Sequence, residues 1–99
     1  MEILKNHIES LKQLCDAHHV ATMYVFGSAL RNDFSATSDI DFLVRFKPIA
    51  PSGYFDNYMD FKHQLEHLLG RDVDLLEEQA LKNPVLINAI NRDKAMVYG

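Results

Sequence analysis

The sequence predicts an α/β domain: a small sandwich in which helices cover a three- or four-stranded mixed sheet, in the order α-β-α-β-α-β-α. Three observations carry this. Apolar residues recur at helical spacing over 2–18 and 54–69, and short apolar runs suited to strands fall between such segments. The chain has 99 residues, enough for one core and one domain spanning 1–99, but not for a separate substrate domain.

Residues 2–18 read as an amphipathic helix. Leu4, Ile8, Leu11 and Cys15 recur every three or four positions with Ile3 and Leu14 beside them, while Glu2, Lys5, Glu9, Lys12 and Asp16 take the wetter side. Residues 21–26 form an apolar run ending at Gly27, the profile of a short buried strand. Ser28 is placed to cap a brief helix over 29–33, and the polar stretch 35–38 leads into a second strand. Pro48, Pro51 and Gly53 interrupt regular structure between 47 and 53. A second amphipathic helix covers 54–69 with Phe55, Tyr58, Leu65, Leu68 and Leu69 inward, and Gly70 is placed to end it in a left-handed cap. Residues 72–76 form a third strand. Asn83 before Pro84 opens a helix over 84–92, and 95–98 make a short terminal strand.

The most informative pattern is Gly27-Ser28, a gap of ten residues, then Asp39-Ile40-Asp41. At roughly 6% per fixed residue, a chain of this length matches it by chance on the order of once in a thousand. Read as a strand, 39–46 puts Ile40, Phe42, Val44 and Phe46 on one face, with Asp39, Asp41, Leu43 and Arg45 on the other. Asp39 and Asp41 then point the same way, with Cα atoms about 6.5–7 Å apart. Like charges that close make sense around divalent cations, and two Mg²⁺ ions could be spanned by such a pair. The plain alternative is a solvent-facing strand start, with Ser38 and Asp39 as turn residues. The upstream Gly-Ser favours the metal reading.

Charge and composition narrow the function. Ten basic against 14 acidic residues give a net charge of −4, which disfavours extended nucleic-acid binding by the chain itself. A nucleotide escorted by Mg²⁺ is a different case, because the metal brings its own charge. The N-terminal segment has no uninterrupted apolar stretch, so neither a signal peptide nor a membrane span is expected. The single cysteine, Cys15, cannot form an internal disulfide; it reads as a small core residue, and a cytoplasmic location follows as the default.

Other motif-like features are weaker. His63-Gln64-Leu65-Glu66-His67 matches the H-x-x-E-H of one zinc peptidase class, but it has only three fixed positions and no distal ligand, so it reads as a polar helical face. His7, His18 and His19 read as surface or helix-end residues. Tyr24, Tyr54, Tyr58 and Phe61 offer rings on which a base could stack, although most are expected in the core.

With these elements in place, the chain resembles the minimal nucleotidyltransferases, small members of the DNA polymerase beta-like superfamily. The resemblance rests on Gly27-Ser28 and Asp39-Ile40-Asp41, with the surrounding Phe-Gly-Ser-Ala-Leu-Arg and Ser-Asp-Ile-Asp-Phe-Leu-Val segments, and extends over nearly the whole chain. It implies a nucleotidyltransferase-fold sandwich and a third carboxylate on the next strand, where Asp74 stands. Asp72 shares its strand face and competes for the role; Glu77 is a weaker competitor. Many members carry a basic residue directly after the Gly-Ser, where this chain has Ala29. Arg31 matches a common basic position, and Asn32 stands where a glycine often follows it.

The resemblance implies transfer of AMP from ATP, with release of pyrophosphate. Asp39 and Asp41 would bridge two Mg²⁺ ions, and Asp74 would complete the second ion's shell and accept the proton. The Gly27-Ser28 turn, opening a helix, suits the β- and γ-phosphates, and Arg31 would neutralise charge on the triphosphate. Family members often pair with a helical HEPN-domain ribonuclease toxin, acting as antitoxin by modifying its tyrosine with AMP. A homo- or hetero-oligomer is compatible with that role. Alternative functions are an antitoxin that only occludes its partner, or transfer to a small molecule such as an aminoglycoside or to an RNA 3′ end.

Overall fold

Residues 2–30 and 39–99 are described in the structure, a computed structural model. Its helices are α1 (Glu2–Lys5), α2 (Ile8–Ala17), α3 (Pro51–Leu69) and α4 (Pro84–Asp93). Its strands are β1 (Val20–Phe26), β2 (Ile40–Phe46), β3 (Val73–Glu77) and β4 (Ala95–Tyr98). The strands form one mixed sheet in the order β3-β2-β1-β4. β1 runs antiparallel to β2 and β4, while β2 and β3 run parallel and are joined by the α3 crossover. The expected α/β architecture is present, with four strands.

Alternation along β2 divides the two faces. Ile40, Phe42, Val44 and Phe46 enter the main core, with Leu11 and Cys15 of α2 and Phe61 and Leu65 of α3. Leu43 points the other way into a smaller cluster with Phe26 and Ile90, through which α4 packs on that face. No helix among the described residues is long and apolar enough to cross a membrane.

The N-terminal helix differs from expectation: it divides between Lys5 and Ile8. The His7 Nδ1–H donates to the Ile3 carbonyl at 2.8 Å, occupying the acceptor that the His7 backbone N–H would use in a continuous helix. That N–H turns to Leu4 O instead, at 3.1 Å. His18 is a helix-end residue, the C-cap of α2, but only 8% exposed. Its Nδ1–H donates to Leu14 O, and its Nε2 lies 2.6 Å from Asp60 Oδ2, linking the end of α2 to α3.

Pro51 starts α3 rather than interrupting structure, because the first helical position has no intrahelical use for an N–H. The helix ends at Gly70 in the left-handed conformation, as expected. Phe55, expected inward, is 70% exposed; it lies on the flank of the stripe formed by Phe61, Leu65 and Leu69, outside the packed face. The other chain punctuation behaves as the sequence suggests: Asn83 Oδ1 accepts from Val85 N at 3.0 Å and caps α4.

Three bonds fix α3 to β3. Tyr54 Oη donates to Glu77 Oε2, Tyr58 Oη donates to Leu75 O, and Val73 N donates to Glu66 Oε2. Burial is the first cause that pushes the Tyr54 and Tyr58 hydroxyls above their usual range. Glu77 adds to both shifts, through the hydrogen bond and its charge for Tyr54, and Asp74 adds a smaller charge effect at Tyr58.

Candidate active site

β1 delivers the chain to Gly27, whose φ of +73° lies in the left-handed region. The backbone leaves the strand there and enters a short 3-10 turn, Gly27–Leu30. A Cβ on Gly27 would overlap Asp41 Oδ2 and stand 3.2 Å from its Cγ. The turn is therefore packed directly against the Asp41 carboxylate, and a residue without a side chain is required between them.

Asp41 lies on β2, flanked by β1 and β3. Its partner on β1 is Phe26, and its partner on β3 is Asp74. Paired positions share a face, and neighbouring strands lie about 4.7–4.9 Å apart, so two carboxylates stand side by side. Asp39 immediately precedes β2, and alternation gives it the same face. Beside it is Asp72, whose carbonyl accepts from Ile40 N at 3.1 Å. Asp39 and Asp74 are exposed and Asp41 is half-buried, over a floor that includes Phe26 and Leu43.

Glu77 is removed from this group. It follows Asp74 by three residues and therefore occupies the opposite face of β3, where Tyr54 holds it. Asp72 stands beside Asp39 rather than Asp41. The ladder thus distinguishes the three acids near β3 that sequence alone left in competition.

Ser28 sits in the 3-10 turn after Gly27. Arg31 and most of the brief helix expected over 29–33 lie outside the described residues. His63 and His67 are exposed on α3, and Glu66 between them is engaged with Val73 N, so the H-x-x-E-H string is a polar helical face.

The donor set suits a hard divalent cation: the candidates are all carboxylate oxygens, the ligand type of Mg²⁺. The missing side chain at Gly27 lets the turn's backbone lie directly against Asp41 Oδ2. Among the described residues no three carboxylate, imidazole or thiolate groups converge as they stand, so the fit rests on the Asp41–Asp74 pairing and the Gly27 cradle.

One feature of this face was not read from the sequence. Lys94, at the end of α4, places its Nζ 4.2 Å from the centroid of the Tyr24 ring. Tyr24 pairs with Leu43, so this cation stands on the acid-bearing side of the sheet, one position along from Asp41. Alternation in β1 already put Tyr24 and Phe26 on one face; the arrival of α4 above them had no local signal.

Known proteins resemble this chain in sequence and fold. Residues 4–96 match the family model of the nucleotidyltransferase domain. A protein of Methanocaldococcus jannaschii, named as a candidate protein adenylyltransferase, is 36% identical over 93 residues, covering 93% of this chain and 88% of the relative. The protein adenylyltransferase MntA of Thermococcus cleftensis is 36% identical over 74 residues, covering 75% of this chain and 72% of its own. A solved structure described as a candidate minimal nucleotidyltransferase superimposes with a TM-score of 0.78 at 32% identity, over 95% of this chain and 92% of that one. A chain from the complex of a tri-AMPylated Shewanella oneidensis HEPN toxin with an MNT antitoxin shares the fold, with a TM-score of 0.67 at 18% identity, over 96% of this chain and 71% of that one.

Proposed function

This chain belongs to the nucleotidyltransferase domain family, and we propose that it transfers AMP from ATP to a tyrosine hydroxyl of a HEPN ribonuclease toxin, acting as its antitoxin in the cytoplasm. The observation that carries the reading is the pairing of Asp41 with Asp74, with Gly27 pressed against the Asp41 carboxylate. The relatives' names support AMP as the transferred group, and the Shewanella complex supports a HEPN toxin as the acceptor.

In this reading Asp39, Asp41 and Asp74 would hold Mg²⁺. Bound there, the cation would supply charge neutralisation at the triphosphate and a lowered pKa for the attacking hydroxyl. The Gly27-Ser28 turn offers backbone N–H groups to the β- and γ-phosphates, and Arg31 adds a positive charge there. The tyrosine oxygen forms a bond to the α-phosphorus, the bond from that phosphorus to the bridging oxygen breaks, and pyrophosphate leaves. Asp74, on the exposed edge strand β3, accepts the phenolic proton.

The test is transfer from α-labelled ATP with Mg²⁺, using the partner that co-purifies from the native host as acceptor. The reading expects label on a tyrosine of that partner, located by mass spectrometry and absent with the Asp39→Asn/Asp41→Asn variant. Unlabelled partner in a stable complex, with neutralisation of the toxin intact in the variant, would contradict it.

A further inference from the structure

A cavity of about 200 Å³ opens on the acid-bearing face of the sheet, and no step described so far uses it. Leu43, Leu81, Ile87 and Ile90 provide its apolar walls, and Glu78 and Asn91 its polar groups. Leu43 follows Asp41 by two residues on the same side of β2, so one strand repeat, about 6.5–7 Å, separates the cavity wall from the candidate metal carboxylate.

We infer that this cavity receives the base of the nucleotide, and that Glu78 and Asn91 make it selective for adenine. The inference rests on the proposed transfer reaction and concerns the same site. Size is the first argument: sites that enclose a whole drug-sized ligand run to roughly 300–1,000 Å³, so this one fits a single ring system. Position is the second. A base is joined to its α-phosphate through one ribose, a span comparable with the step from Asp41 to Leu43.

Chemistry decides which base. A carboxylate can only accept, and the exocyclic amine of adenine donates. A carboxamide both donates and accepts, matching an amine beside a ring nitrogen. Guanine carries a carbonyl oxygen where adenine carries that amine, so the same pose sets a lone pair against Glu78. No hydrogen bond from another described residue occupies the Glu78 carboxylate or the Asn91 carboxamide. The helix above the cavity is also lightly held. Ile90 is the buried residue of α4, whereas Val85 and Leu86 are 77% and 39% exposed, so a ring in the cavity would complete its packing.

The experiment is calorimetric titration of ATP, GTP and inorganic tripolyphosphate, each with Mg²⁺, into the wild-type chain and the Glu78→Gln, Asn91→Leu and Leu81→Phe variants. Wild type should bind ATP about tenfold more tightly than GTP. Glu78→Gln should bring that ratio close to one. Asn91→Leu and the cavity-filling Leu81→Phe should weaken ATP binding about tenfold. Tripolyphosphate affinity should be the same in all four proteins, which also reports that each is folded. An unchanged ATP-to-GTP ratio in Glu78→Gln, together with wild-type ATP affinity in Leu81→Phe, would overturn the base pocket while leaving the transfer reaction standing. Failure of wild type to bind both ATP and tripolyphosphate would overturn the transfer reaction, and the pocket with it.

Discussion

Asp41 and Asp74 face each other across the parallel β2–β3 ladder, two carboxylates on one side of the sheet in a chain whose main core lies on the other side. The inner strand β2 serves both faces: its even-numbered positions enter the main core, while Asp41 and Leu43 point to the other side. Cation binding should therefore stabilise the fold through these two strands. Mg²⁺ at a hundredfold excess over its dissociation constant is expected to raise stability by about 2.7 kcal/mol. Asp41→Asn should abolish that increment and Asp74→Asn should reduce it, as measured by thermal unfolding in Mg²⁺ and in EDTA.

Gly27 is the most constrained position near the acids. Gly27→Ala forces a Cβ into Asp41 Oδ2 and also places a side chain at φ +73°. The left-handed conformation alone costs about 1–2 kcal/mol, and displacement of Asp41 adds to it. Urea denaturation should show a loss of at least that size, and Mg²⁺ should no longer raise the midpoint.

Tyr54 and Glu77 should matter for stability and not for transfer. Tyr54→Phe removes the hydrogen bond that ties the first turn of α3 to the end of β3. A loss of about 0.5–1.5 kcal/mol is expected from urea midpoints, with nucleotide affinity unchanged.

The same tyrosines set an alkaline limit. In the unfolded chain both hydroxyls ionise near the ordinary value of 10.0, whereas burial and the nearby carboxylates push them higher in the folded state. Above the unfolded value, the folded chain retains protons that the unfolded chain has lost. Their contribution is thus fully present below about pH 10 and falls as pH rises further. Urea midpoints between pH 8 and 11.5 should show that decline, and a Tyr54→Phe/Tyr58→Phe variant should show a shallower one.

Local features of the chain were legible because their causes are local. The Gly27 turn, the Asp39–Asp41 spacing, the Gly70 cap and the Asn83 cap each depend on residues within a few positions of each other. The partner of Asp41 was not legible by physics alone, because alternation assigns a face while register is set by how α3 returns the chain. Family likeness pointed to Asp74, and the ladder places it opposite Asp41 while sending Glu77 to the other face. Two details less visible in the sequence come from side chains that bond to backbone or to a distant element. His7 took a helical carbonyl and divided the first helix; His18 stands at the helix end as read, and its burial is set by Leu14 O and Asp60, which accept it. Phe55 shows the converse, an apolar residue left outside on the flank of α3's buried stripe.

The most direct measurement compares single-turnover AMP transfer to the co-purified partner by wild type, Asp41→Asn, Asp74→Asn and Glu77→Gln. The predicted result is a loss of about a hundredfold or more for Asp41→Asn and Asp74→Asn, since even residues that merely support metal ligands cost about 10–100-fold when removed. Glu77→Gln should keep its rate. A fully active Asp74→Asn beside an inactive Glu77→Gln would contradict the site, because it would place the chemistry on the opposite face of β3.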